Sequence, residues 1–176
     1  AFVSTRCQYG ILCNSPDIYT TKTMYRMDGD GRNIRALSNS PVSEASPALL
    51  PDGRIVYHRW EYVDKAAGNV KCLWAMNPDG SASVEIYGNA ITFPETMIYP
   101  RPIPGAEGKI VMLGTSHCCP NNAMGAVIVI DTSDDIRAVE TMHFVTDDIR
   151  AFAHVGFHFR DAAGEWKLDK TGTLGR

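Results

Sequence analysis

The chain has 176 residues, 44% hydrophobic and 21% charged, with a formal net charge of −3 at neutral pH. These values exclude disorder, collagen and coiled coil as whole-chain descriptions, and the acidic balance argues against a nucleic-acid partner. No apolar run approaches the roughly 18 residues of a membrane helix, so no membrane span is expected.

In chain order, Phe2-Val3-Ser4-Thr5 reads as a strand, followed by a stretch that holds Arg6, Cys7 and Cys13. Met24-Tyr25-Arg26-Met27-Asp28-Gly29-Asp30-Gly31 is a second strand running into a polar turn. Its Asp-Gly-Asp-Gly lacks the ligand spacing and closing Glu of an EF-hand, and is expected to be a hairpin turn. The same pattern returns as Leu73-Trp74-Ala75-Met76-Asn77-Pro78-Asp79-Gly80, and in looser form as Val127-Ile128-Val129-Ile130-Asp131. Between these copies, Ser46-Pro47 and Pro51-Asp52-Gly53-Arg54-Ile55-Val56-Tyr57 match Tyr99-Pro100 and Pro104-Gly105 through Lys109-Ile110-Val111-Met112. Pro presets φ, Asp bonds locally and Gly supplies the positive φ, so Pro51-Asp52-Gly53 and Asn77-Pro78-Asp79-Gly80 predict tight turns between β-rich runs. Cys72 falls in such a run and is expected as a buried thiol. Near the end, Val155, Phe157 and Phe159 alternate with His154, Gly156, His158 and Arg160, a period-two strand, and Glu165–Leu168 follows a turn. His154 and His158 are expected to be solvated or packed rather than to be ligands.

A repeat of roughly 50 residues with about four short strands is the signature of propeller blades. The predicted fold is therefore all-β, a partial β-propeller of about three to four antiparallel four-stranded blades. The repeats run roughly over 1–46, 47–98, 99–150 and a partial 151–176. At that period the chain holds fewer than the four blades of a small closed ring, so the expectation is an incomplete propeller segment of a longer protein.

The run Tyr25–Ser38 with Ser46-Pro47 and Pro51–Ile55 resembles the WD40-like repeat of TolB-type propellers. Leu50–Asp64, with Arg59-Trp60-Glu61-Tyr62-Val63-Asp64 as its most specific part, Leu73–Gly80 and Arg101–Gly105 together resemble the propeller region of hydrazine synthase alpha subunits, many from planctomycete bacteria. The narrower resemblance implies a scaffold or interaction segment. In such a protein c-type haems elsewhere join nitric oxide and ammonium into hydrazine. It also implies partners among the other domains or subunits of a redox complex, and export beyond the cytoplasm. The haem motif Cys-x-x-Cys-His is absent from this sequence, so no catalytic residue is assigned and no cofactor is expected within the segment. The alternative is a TolB-like binding propeller of the cell envelope without catalysis. A third reading, the gating propeller of an oligopeptidase, would need a hydrolase domain elsewhere, since no Gly-x-Ser-x-Gly occurs.

Aligned repeats place three loops at equivalent positions, after Ala1–Ser4, Ile55–His58 and Ile110–Leu113. They carry Arg6, Cys7 and Cys13; Arg59, Trp60, Glu61, Tyr62 and Asp64; and Ser116, His117, Cys118, Cys119 and Asn121. Arg6, Arg59, Glu61, Tyr62 and Asp64 are the binding candidates on that face. Equally, Arg59 can pair with Glu61 or Asp64 and lock its loop over Trp60 and Tyr62. His117 with Cys118 or Cys119, joined by Cys7 or Cys13, would offer the imidazole and thiolate donors that zinc favours. A Cys7–Cys13 disulfide and plain free thiols are the competing readings.

Overall fold

The structure is a computed structural model that describes residues 1–8, 21–60, 71–91, 94, 96–115, 125–146, 158–160 and 166–168. Apart from one 3-10 turn at Val139–Thr141, every regular element among these residues is a strand. Strands β1 (Phe2–Ser4), β2 (Thr23–Arg26) and β3 (Arg35–Ala36) form a first antiparallel unit. The second unit is the antiparallel meander β4 (Glu44–Leu49), β5 (Ile55–Trp60), β6 (Lys71–Met76) and β7 (Val84–Tyr87). The third repeats it with β8 (Thr96–Pro102), β9 (Lys109–Thr115), β10 (Ala126–Asp131) and β11 (His143–Phe144). A single parallel bridge, Lys71 to Thr96, joins the second unit to the third. Strands β12 (His158–Arg160) and β13 (Trp166–Leu168) pair as a hairpin, as the alternating pattern there predicts.

The turns repeat atom for atom. Gly31 N–H donates to Asp28 C=O and Gly80 N–H to Asn77 C=O, each at 2.9 Å. Asp30 and Asp79 each accept the N–H two residues on, from Arg32 and Ser81, at 2.9 Å. The Asp28–Gly31 stretch is thus the hairpin turn that its residues predict. Gly80 has a second constraint besides its φ of +90°: a Cβ there would collide with the Leu37 carbonyl oxygen.

The Ser-Pro and Tyr-Pro pairs lie inside strands. Ser46 (φ 57°) and Tyr99 (φ 55°) sit inside β4 and β8, where the pairing register slips between Ala45 and Ala48 and between Ile98 and Arg101. Proline bars the preceding residue from the right-handed helical region, and a bulge lets the ladder resume beyond it. The expected repeat boundaries at 46/47 and 98/99 therefore fall within strands.

Both faces of the middle unit are buried, and alternate residues serve different neighbours. Ile55, Tyr57 and Met76 pack with Met24 and Leu37 of the first unit. Val56, Leu73 and Ala75 pack toward the third unit with Met97, Ile110, Met112, Ile128 and Ile130. This two-sided burial explains why β5 and β6 read as nearly continuous apolar runs rather than as alternation.

Candidate functional site: a cleft in the polar seam

The short turns, Asp28–Arg32, Leu50–Arg54, Asn77–Ser81 and Ile103–Lys109, close one end of the units. The long connections lie at the other end, where β1, β5 and β9 finish and β2, β4, β6 and β8 begin. From that end a cleft of about 420 Å³ runs along the seam between the first and second units, from Glu44 and Arg59 to Gly80 of the Asn77–Ser81 turn, with Ser38 and Ser83 beside Val42 and Met76 in its walls.

Glu44 is the floor of this cleft. It begins β4, is only 1% exposed, and lies directly opposite Arg59 in the ladder. Its Oε2 accepts the Met24 N–H at 3.1 Å and a short bond from the Ser38 hydroxyl, so it ties the second unit to the first. Burial pushes the Glu44 carboxyl above the usual carboxylate range, opposed by the Ser38 hydroxyl, the Met24 N–H and the charge of Arg59. The Arg59 guanidinium lies flat over Trp74, 3.6 Å from the ring centroid, a cation–π stack that fixes the charge at the cleft wall. Trp74 is itself held, because its indole N–H donates to Cys72 Sγ at 3.2 Å. Beside them the hydroxyls of Tyr57 and Ser83 are bonded at 2.7 Å.

On the opposite face of β5, His58 has its Nδ1 out of solvent and without a hydrogen-bond partner among the described residues, as does Thr96 Oγ1. Burial, reinforced by Lys71 and Lys22, pushes the His58 imidazole down to about 3, so it is neutral at physiological pH.

Two corrections concern the expected loop face. Arg59 and Trp60 are strand residues, because their pairing with Cys72 and Lys71 carries the β5–β6 ladder to its end. Arg59 does not have the expected Trp60 beneath it, and its expected partners Glu61 and Asp64 lie outside the described residues. It stacks on Trp74, while Lys71 Nζ lies 5.4 Å from the Trp60 centroid. Arg6 follows β1 in a turn, at the same end of the molecule. Cys7 is a free thiol whose Sγ donates to the Thr21 carbonyl at 3.2 Å, and Cys72 is the buried thiol expected of it. Glu61, Tyr62, Asp64, Cys13, Ser116, His117, Cys118, Cys119, Asn121 and His154 lie outside the described residues. Among the described residues no group of three or more His, Cys, Asp or Glu is placed to hold a metal, and no helix is long and apolar enough to cross a membrane.

Sequence reasoning missed Glu44, Ser38 and Trp74 as site residues. A signal existed for Glu44: its counterpart in the next repeat is Met97, so a carboxylate stands where the repeat carries an apolar core residue.

No family model matches the chain, and no curated protein matches it. Among solved structures it is similar to one described as a TolB from Agrobacterium tumefaciens, with a TM-score of 0.51 and 18% identity. That likeness covers 70% of this chain, which spans about 40% of the other protein's length. The fold is therefore all-β and TolB-like.

Proposed function

We propose that the chain is a binding segment of a TolB-like β-propeller of the cell envelope, whose long-loop end recognises a small polar ligand and carries out no chemistry. The three- and four-stranded units are its blades. The observation that carries this reading is the cleft itself: a buried carboxylate and a ring-stacked guanidinium line one space whose other walls mix serine hydroxyls with Leu37, Val42 and Met76. Charged groups held this way are pre-organised, so a ligand need not spend its binding energy on ordering them. The hydrazine-synthase reading has only the sequence run around Arg59–Asp64 and its flanking motifs behind it. The fold comparison favours the binding propeller.

Ligand-induced thermal stabilisation tests the proposal. A library of small polar compounds is screened on the unaltered chain and on the variant Glu44→Met/Arg59→Gly, which gives the cleft the residues of the neighbouring seam. Compounds that raise the melting temperature of the first should fail on the second. Equal stabilisation of both, or of neither, overturns the reading.

A further inference from the structure

No further inference is drawn: the strongest candidate, the mainly apolar groove of about 370 Å³ between Ala1 beside β1 and the β4 residues Pro47, Ala48 and Leu49, carries nothing because nothing in the structure shows what covers it.

Discussion

The second and third units present the same face to the unit before them and fill it with opposite chemistry. Equivalent ladder positions carry Glu44, Arg59, Tyr57, Trp74 and Cys72 in one, and Met97, Gly114, Met112, Ile128 and Ala126 in the other. The apolar set closes its seam by dispersion. Gly114 leaves space that Ile128 Cδ1 and Pro94 occupy, and Met97 caps Gly88. The polar set closes only part of its seam, through the bonds of Glu44 and the Tyr57–Ser83 pair, and leaves a cleft. One backbone geometry thus closes a core in one place and lines a cleft in another, and the side chains alone decide which.

The largest expected effect comes from the apolar seam. Ile128→Ala removes a fully buried side chain from the middle of the larger core and should cost about 2–5 kcal/mol by denaturant unfolding, with no effect on ligand binding. A cost under about 1 kcal/mol would mean that the seam is not close-packed.

Next come two pH responses of opposite sign on the two faces of the second unit. The His58 imidazole is depressed to about 3 in the fold, so the unfolded chain takes up a proton first as pH falls below the ordinary 6.5. Stability from this group is complete above 6.5 and is lost as pH drops toward 3. His58→Gln should flatten that part of the stability–pH curve by up to one proton, and an unchanged slope would contradict the burial of the ring. Glu44 is raised, so its neutral form is favoured in the fold and stability declines as pH rises from the unfolded carboxylate value through the folded one. Glu44→Gln should remove that decline, and a variant that keeps it would show that another group is responsible.

The smallest effect belongs to Tyr57→Phe. The ring stays buried and only the 2.7 Å bond to Ser83 is lost, which should cost about 1 kcal/mol at the polar seam. A loss several times larger would mean that this bond shapes the whole cleft.

Much of this fold was legible in the chain because turn chemistry is local. Pro51-Asp52-Gly53, Asn77-Pro78-Asp79-Gly80 and Asp28-Gly29-Asp30-Gly31 fix their own geometry, and the runs between them can only be strands. The bulges at Ser46 and Tyr99 were harder to see, since X-Pro signals a turn and a bulge alike until pairing shows that the strand continues. The end of β5 was misjudged for a related reason: Arg59 and Trp60 are polar and bulky enough to suggest a loop, and only their partners Cys72 and Lys71 place them in the ladder. The site was the least legible part. Ser38, Glu44, Arg59 and Trp74 are scattered over three strands and a connection. Glu44, Arg59 and Trp74 meet through the β4–β5–β6 ladder, and Ser38 joins them only because the second unit stacks on the first, which no local pattern encodes.

The central claim is that ligand recognition sits at the polar seam. Two-dimensional amide and indole NMR on the full chain, titrated with a small polar compound that raises its melting temperature, tests it most directly. The indole N–H of Trp74, bonded to Cys72 Sγ, should shift together with the backbone amides of Ser38, Asn39, Glu44 and Arg59, while the turns at Asp52-Gly53 and Gly108 stay fixed. Shifts confined to those turns, or none in any of the three tryptophan indoles, would contradict the account.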